Sequence, residues 1–391
     1  VKQCVVNLRS YVMPEINLRS DWRELWLKRL EADQFLATVW ASHQARDDYW
    51  KHGSVCEDWS AIEVPVLSVG GWADNYMNTV SHLVMNLKSP VQGIVGPWIH
   101  QYPHMAVPGP QAGFLQIALR WWDRWLKGDL NGAETDPAYR AYVLHSAPPN
   151  PSGAHRAGHW VAETVWPSTR VTQKTLALSP GRILGGAGGT LDIKVATPQT
   201  LGLAAGEFFP MGLNAEMAGD QAGEDALAAS FDAPPLAEPM QMIGSARLSL
   251  RLSCDRSKAL IVARLCDVAP DGASVRIAHG MINLCHRDSR ETPSAVPVGQ
   301  PIDIGLTLDQ MAYRLAPGHR LRLSLSTTYW PFVWPSPEAA TLTLLGGSLD
   351  LPIHEGGTQE EWVPPPAEGG PAWKHRVKRP GRAARRVEHD L

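Results

Sequence analysis

The chain has 391 residues, of which 44% are hydrophobic and 19% charged, and this composition predicts a globular protein with two or three domains. The formal net charge of −3 gives no overall basis for binding nucleic acid or an anionic membrane, and no apolar stretch is long enough to predict a membrane span. Five scattered cysteines without metal-ligand spacing predict reduced thiols in a cytoplasmic protein.

Residues 1–60 are predicted to be mostly helical. Asp21 is a candidate N-cap, with Glu24 three residues later as its capping-box partner, and an apolar stripe follows at helical spacing. A second helical segment, Phe35–His43, leads to the acidic residue Asp47, which we interpret as part of a solvated helix end.

The segment Val64–His100 predicts a βαβ unit. Two apolar runs, Val64–Val69 and Gly93–Trp98, indicate buried parallel strands, and apolar residues at helical spacing between them indicate a crossover helix. Asp74 stands just past the first strand, and His100 stands just past the second. Because ligands of open α/β sheets bind at the carboxyl ends of the strands, this order suits a hydrolase whose catalytic residues follow the sequence Ser, Asp, His.

Each of these two residues also has an ordinary structural interpretation. Asp74 can cap the helix that follows it, and His100 can be a loop histidine without a chemical role. Their joint placement on one βαβ unit favours catalysis over the two separate structural roles.

A loop and a strongly amphipathic helix follow this unit. The spacing of His100 and His104 does not predict a zinc site, because no carboxylate or cysteine completes a ligand set on that proline-containing loop. The helix is predicted over Gln111–Leu126, with Gly128 as its C-terminal stop. We expect the apolar face of this helix to pack on the sheet; it consists of Phe114, Ala118, Trp121, Trp122, Trp125 and Leu126.

From about residue 137 the hydrophobic period changes from helical to two. The clearest alternation runs from Ala246 to Cys254, and similar short runs follow with turn residues between them. This pattern predicts an antiparallel β-sandwich over residues 137–355. The last segment, residues 356–391, is rich in proline and glycine and then basic, and we expect a solvated tail there.

Two five-residue motifs around the candidate residues resemble motifs of a known family. They are Gly70-Gly71-Trp72-Ala73-Asp74 and Gly96-Pro97-Trp98-Ile99-His100, which are similar to the acid and base segments of the cocaine esterase / X-prolyl dipeptidyl-peptidase family of α/β-hydrolases. The resemblance implies a Ser-His-Asp mechanism in which His100 is the general base and Asp74 orients it. It also implies that Trp72 and Tyr76 line an acyl pocket, although simple packing over the strand ends explains them equally well.

The resemblance covers most of the chain and implies four parts. Residues 1–60 correspond to a remnant of a helical cap, residues 61–136 to the C-terminal half of an α/β-hydrolase domain, and residues 137–355 to a jelly-roll domain; residues 356–391 are the tail. The predicted fold is therefore a partial α/β hydrolase with a helical cap remnant, followed by an all-β jelly-roll sandwich.

The nucleophile that such a mechanism needs is not found in this sequence. No Gly-x-Ser-x-Gly word is present, and the nearest, Gly346-Gly347-Ser348, lies in the predicted sandwich and lacks the second glycine. The first residue is Val1 rather than methionine, which suggests a fragment. We therefore expect the C-terminal part of a serine hydrolase for acyl esters, α-amino acid esters or X-Pro dipeptides, and we expect this part to be inactive alone.

Two other functions stay open at this stage. One is a non-catalytic jelly-roll binding protein, and the other is a subunit of a split hydrolase whose N-terminal half is a separate chain. The expected partners are a small-molecule ester or peptide substrate, and either a missing N-terminal half or further copies of this chain in a homo-oligomer. No cofactor, metal ion, nucleic acid or membrane is expected.

Overall fold

The structure is a computed structural model that describes residues 20–212 and 215–368, and the chain divides into two compact units. The described part of the smaller unit is residues 20–54 with Arg290–Thr292. It contains helices α1 (Trp22–Glu31), α2 (Leu36–Ser42) and α3 (Asp48–Lys51), in agreement with the helical prediction; residues 1–19 of that prediction lie outside the described residues. Asp21 occupies the N-cap position of α1, but its side chain makes no capping hydrogen bond, so the predicted capping box does not form.

Asp47 lies at a helix end, as the sequence predicts. Its Oδ1 accepts a hydrogen bond from the Tyr49 N–H at 3.1 Å and so caps α3. Its Oδ2 lies 2.5 Å from Nδ1 of His43. The His43 and Asp47 side chains are 29% and 44% exposed, which gives the pair a structural role at the surface of its unit.

The larger unit contains the predicted βαβ unit. Strands β1 (Val66–Gly71) and β2 (Val91–Gly96) pair in parallel along their whole lengths, and helix α4 (Met77–Asn86) crosses between them. Val80 and Val84 of α4 are buried in a hydrophobic cluster against the sheet. The two candidate residues therefore follow the carboxyl ends of neighbouring parallel strands, which is the arrangement that the sequence predicts.

Helix α5 (Phe114–Trp122) is shorter than the predicted helix Gln111–Leu126. Its α-helical part ends at Trp122 and continues as a π-helical turn, Asp123–Lys127. Gly128 follows with a φ of +82°, a conformation that favours glycine, and it provides the predicted stop.

Four apolar side chains form an exposed row along this helix, which we call the exposed α5 row: Leu115, Leu119, Trp122 and Leu126. Their exposed fractions are 44%, 59%, 51% and 76%, so the predicted burial of Trp122 and Leu126 is wrong. The reason is that α5 carries two adjacent apolar rows, and the row through Trp121, which is 3% exposed, is the one that packs inward. No helix within the described ranges is long and apolar enough to cross a membrane.

Strand β3 (Tyr139–His145) continues the parallel sheet. It pairs in parallel with β2 and antiparallel with β4 (Gly158–Glu163). The period-two pattern that begins near residue 137 therefore starts with a strand of the parallel sheet. The alternation of apolar and polar residues cannot show whether a strand pairs in parallel or antiparallel, because side chains alternate in both kinds of strand. The partners of a strand are known only from the topology of the fold.

The remaining strands form mainly antiparallel ladders, and a short helix, α6 (Ala222–Leu227), precedes β8. These strands are β5 (Val171–Ser179), β6 (Ile183–Gly186), β7 (Ile193–Val195), β8 (Ala229–Asp232), β9 (Met240–Cys254), β10 (Leu260–Val268), β11 (Ser274–Asn283), β12 (Ile302–Leu315), β13 (Arg320–Ser326) and β14 (Leu342–His354). Hydrogen bonds join β3 to β12 and then continue in the order β12-β9-β14-β5-β6-β8-β13-β10-β11, while β7 pairs with β14. Leucines from β9, β12 and β14 share one buried core with side chains from β8, β10 and β13.

The segment after β14 packs against β4 and is not wholly a solvated tail. Oε2 of Glu360 accepts a hydrogen bond from the Trp160 N–H at 2.8 Å, and the Trp362 ring lies 4.8 Å from the Trp160 ring in an edge contact. The expectation of a solvated tail is wrong for these residues because they supply hydrogen-bond acceptors and an aromatic ring to β4. Residues 369–391 lie outside the described residues.

Two histidines meet on β3 and β4 and should make stability depend on pH. Nε2 of His145 lies 2.8 Å from Nδ1 of His159, which is 2% exposed. Burial, with the nearby His145 and Arg314, lowers the pKa of His159 from 6.5 to about 4. Between these values the unfolded chain binds a proton that the folded chain does not, so the free energy of unfolding should fall as pH falls from 6.5 to 4. We expect His159→Gln to reduce this fall in urea-unfolding curves measured across that range.

The matched control for this experiment is His155→Gln, at an exposed histidine next to β4. We expect it to leave the acid sensitivity unchanged. Equal acid sensitivity in the wild-type chain and His159→Gln would contradict the assignment to His159.

Candidate active site

Hydrogen bonds join the ends of β1 and β2 next to the two candidate residues. The Ala73 N–H donates to the Trp98 carbonyl oxygen at 3.0 Å, and the Trp72 N–H donates to the Gly96 carbonyl oxygen at 2.9 Å. A Cβ on Gly71 would lie 2.0 Å from the Trp98 carbonyl oxygen, so only glycine permits this close approach. The glycine and tryptophan residues of the two motifs thus hold the strand ends together and fix the residues that follow.

Asp74 is buried, with 7% of its surface exposed, and it orders the start of α4. Its backbone N–H donates to the Gly71 carbonyl oxygen at 3.0 Å. Its Oδ1 accepts a hydrogen bond from the Tyr76 N–H at 3.0 Å. Asp74 therefore forms a turn just before α4 and does not cap the helix, because Tyr76 occupies the N-cap position and α4 has no side-chain cap there. The other carboxylate oxygen of Asp74 is still available to a second partner.

That second partner is His100, whose Nδ1 lies 2.8 Å from Oδ2 of Asp74. Because a carboxylate can only accept hydrogen bonds, the shared proton belongs to Nδ1, and Nε2 of the neutral ring carries the lone pair. The described residues give the imidazole this one hydrogen bond, and its side chain is 40% exposed. The pair thus presents a basic nitrogen with a fixed tautomer at the carboxyl end of the sheet.

Tyr76 lies next to this pair, whereas Trp72 is hydrogen-bonded to β3. The Tyr76 ring meets the His100 ring edge-on, with centroids 5.8 Å apart. The Trp72 indole N–H donates to the Tyr142 carbonyl oxygen of β3 at 2.7 Å, although the side chain also borders a cavity beside Asp74. Packing therefore accounts for most of the position of Trp72, while Tyr76 is an immediate neighbour of the imidazole.

Phe209, which was not predicted from the sequence, also lies beside His100. The centroid of its ring lies 4.5 Å from that of the His100 ring and 5.5 Å from that of the Tyr76 ring. The next residue, Pro210, accepts a hydrogen bond from the His100 backbone N–H at 3.1 Å, so this loop also fixes the histidine. The one signal in the sequence is a pair of phenylalanines in an otherwise small and polar segment, which by itself indicates no site.

A cavity of about 120 Å³ adjoins Asp74. Its walls come from the start of α4, from the loop that carries Phe209 and from strands β11 and β12, and they include Met77, Phe208, Arg276, His279 and Asp309. Within the described ranges, no three histidine, cysteine, aspartate or glutamate side chains are grouped as a metal site requires.

Comparison with protein families identifies the chain. The profile of the X-Pro dipeptidyl-peptidase C-terminal non-catalytic domain matches residues 131–387, and that of the X-Pro dipeptidyl-peptidase S15 family matches residues 12–102. The chain belongs to the cocaine esterase / X-prolyl dipeptidyl-peptidase family of hydrolases. This finding confirms the family resemblance of the two motifs.

Known relatives agree with this membership. Cocaine esterase of Rhodococcus sp. (strain MB1 Bresler) is 22% identical over 316 residues, which are 74% of this chain and 53% of the esterase. A CocE/NonD family hydrolase from Staphylococcus aureus superposes with a TM-score of 0.65 at 14% identity, over 85% of this chain and 62% of that one. An α-amino acid ester hydrolase gives a TM-score of 0.63 at 17% identity, over 88% and 64% of the two chains. The family fold is therefore shared, and the chain spans about half the length of the curated relatives it matches.

Proposed function

We propose that this chain supplies the acid and base of a serine hydrolase that cleaves ester or amide bonds through an acyl-enzyme. The observation that carries the proposal is the 2.8 Å contact between Nδ1 of His100 and Oδ2 of Asp74 at the ends of two parallel strands. A carboxylate in that position fixes the tautomer of the imidazole and stabilises the imidazolium that forms during the reaction.

In this mechanism Nε2 of His100 takes the proton from a serine hydroxyl as its oxygen attacks the substrate carbonyl carbon. The tetrahedral intermediate collapses when the imidazolium gives that proton to the leaving alcohol or amine, and an acyl-enzyme remains. Water then attacks the acyl group while His100 accepts a proton from it. The imidazolium gives this proton to the serine oxygen as the acyl–oxygen bond breaks, which releases the carboxylic acid and regenerates the serine. Asp74 stays ionised throughout.

The substrates we propose are acyl esters, α-amino acid esters or X-Pro dipeptides. The names of the relatives include a cocaine esterase, an α-amino acid ester hydrolase and X-Pro dipeptidyl-peptidases. The rings of Tyr76 and Phe209 both contact the His100 ring, so an apolar part of the substrate would pack against them during the reaction. Trp72 would contribute only through the face that borders the cavity.

The nucleophile, in this proposal, comes from further strands of the same sheet, either upstream in one polypeptide or on a separate chain. Among the described residues, β1 is the terminal strand of its sheet, and parallel sheets are ordinarily covered and extended on both sides. The exposed α5 row is the kind of apolar surface that another part of a hydrolase domain would cover.

The domain assignment follows the same proposal. Residues 1–60 would be the remnant of the cap, residues 61–136 the C-terminal half of the α/β-hydrolase domain, and residues 137–355 a jelly roll, with residues 356–391 after it. The antiparallel ladders with one shared core support the jelly-roll assignment, as does the family match that begins at residue 131. β3 would link the two domains, because its first residues pair with β2 and its last residues pair with β12.

A cytoplasmic location is also part of the proposal. Cys254 and Cys266 are buried free thiols, and burial raises the pKa of Cys266 to about 12. Such thiols are unreactive and are typical of proteins that work under reducing conditions.

The experiment that tests this function supplies the missing nucleophile. We expect the chain alone to release no p-nitrophenol from p-nitrophenyl acetate and to resist labelling by a fluorophosphonate, which reacts with activated serines. When it is extended by, or mixed with, a segment from the same source that carries Gly-x-Ser-x-Gly, it should hydrolyse the ester and become labelled on that serine.

Two results would contradict the proposal. Turnover by the chain alone that is lost in His100→Ala would place a nucleophile within residues 1–391. Ester binding without turnover in any form, unchanged by Asp74→Asn and His100→Ala, would favour a non-catalytic jelly-roll binding protein.

A further inference from the structure

A bulge in β12 aims an acidic side chain at the helix that follows Asp74. Thr307 and Gln310 are three residues apart on β12, but their partners on β9, Arg247 and Ser245, are two residues apart. The extra residue turns Asp309 out of the ladder, as bulges do where a strand must redirect a side chain.

Asp309 and the backbone beside it hold Asn78 at both ends of its amide. The Asn78 Nδ2–H donates to Oδ1 of Asp309 at 2.8 Å, and Oδ1 of Asn78 accepts a hydrogen bond from the Gln310 N–H at 2.7 Å. Asn78 lies in the first turn of α4, four residues after Asp74. The loop from Asp74 to Asn78 is therefore fixed at its far end by a strand from another part of the fold.

The neighbouring strand β11 completes this arrangement. Nδ1 of His279 lies 2.8 Å from Oδ2 of Asp309, so the two carboxylate oxygens have different partners. Gly280 leaves room for the bulge, because a Cβ there would lie 3.1 Å from the Thr307 carbonyl oxygen. Burial favours the neutral acid, but the charge of His279 and hydrogen bonds from His279 and Asn78 outweigh it and hold the pKa of Asp309 below its usual value.

We propose that Asp309 is a positioning residue for the Asp74–His100 pair, acting through its hydrogen bond to Asn78. By fixing the first turn of α4, it holds the loop on which Asp74 reaches His100 and on which Tyr76 meets the imidazole. The relevance of this role to catalysis rests on the proposed function. The positioning itself is a property of the chain alone and can be measured without turnover.

The measurement is the exchange with water of the His100 Nδ1 proton, followed by NMR in the chain labelled with ¹⁵N-histidine. We expect Asn78→Ala and Asp309→Ala each to speed this exchange roughly tenfold, the effect expected for losing about one hydrogen bond. The double variant should exchange no faster than either single variant, because the two residues act through one contact. The conservative variant Asp309→Asn keeps an oxygen for Asn78 and should stay within about threefold of the wild-type rate.

Two controls separate positioning from general loosening. The Trp98 indole proton, which donates to the Pro110 carbonyl oxygen at 2.9 Å, should exchange at the same rate in all variants. Asp303→Ala removes an exposed carboxylate from the same strand and should leave the His100 proton unchanged.

Three outcomes would overturn the proposal. The first is a His100 proton that is unaffected in both alanine variants, and the second is a parallel change in the Trp98 proton. The third is the absence of a protected His100 Nδ1 proton in the wild-type chain, since there would then be no ordered pair to position. None of these results depends on ester hydrolysis, so a failure of the proposed function would be seen separately.

Discussion

Replacing His100 by alanine should lower kcat/KM for ester hydrolysis by about 10⁶-fold once the nucleophile is supplied. In the proposed mechanism, the variant loses the base that accepts the serine proton and the acid that protonates the leaving group. Initial rates with p-nitrophenyl acetate, measured on the extended or complemented protein, give the value. The truncation also removes the partner of Oδ2 of the buried Asp74, so the free energy of unfolding should fall by about 1–3 kcal/mol, and urea curves of both proteins check this.

Two further variants make this result specific. Asp74→Asn should lower kcat/KM by about 10³- to 10⁴-fold, because an amide cannot stabilise the imidazolium and allows the wrong tautomer. His82→Ala removes an exposed histidine from α4, close in sequence to both residues, and should leave the rate unchanged. A rate that survives in His100→Ala would exclude the histidine as the base, even if Asp74→Asn lowered it.

The βαβ unit and its two candidate residues could be predicted because their signals are local. The two strands are short apolar runs, although only β2 is buried as predicted and β1 is mostly half-buried. The glycines at their ends permit a close approach, as the contact of Gly71 with the Trp98 carbonyl group illustrates. Asp74 and His100 are separated by only 26 residues. One crossover helix is enough to bring them together, so the spacing in the sequence carries the geometry.

The rest of the site depends on contacts between distant parts of the chain. Phe209 reaches His100 from a loop with no periodic pattern, and Asp309 reaches Asn78 across 231 residues. The bulge that redirects Asp309 is a departure from the period of two, and a sequence shows no such departure until the partner strand is known. The same limit explains why β3 could be predicted as a strand without its parallel partner β2.

The part of the fold that contains β8, β10 and β13 has a buried ion pair on which stability should depend. The Arg264 side chain on β10 is fully buried, and its Nη2 lies 3.1 Å from Oδ1 of Asp225, which follows Glu224 on α6. Two hydroxyl groups, from Ser324 and Ser274, donate to the same carboxylate at 2.8 and 2.7 Å. Removing that carboxylate would leave the two buried hydroxyls without this acceptor. It would leave the buried guanidinium with only the more distant carboxylate of Glu224, whose Oε2 lies 3.6 Å from Nη1.

Asp225→Ala should therefore lower the free energy of unfolding by about 3–5 kcal/mol, as measured by urea denaturation, because breaking a buried pair leaves one charge uncompensated. Asp303→Ala breaks the exposed contact between Arg251 and Asp303, at 2.9 Å, and should cost less than about 1 kcal/mol. If the uncompensated charge of Arg264 causes the loss, the double variant Asp225→Ala with Arg264→Met should recover part of the stability, since both charges are then removed.

Two outcomes would contradict this explanation. A double variant that is less stable than Asp225→Ala alone would attribute the loss to packing around α6. Equal costs for Asp225→Ala and Asp303→Ala would show that burial does not decide the strength of these pairs.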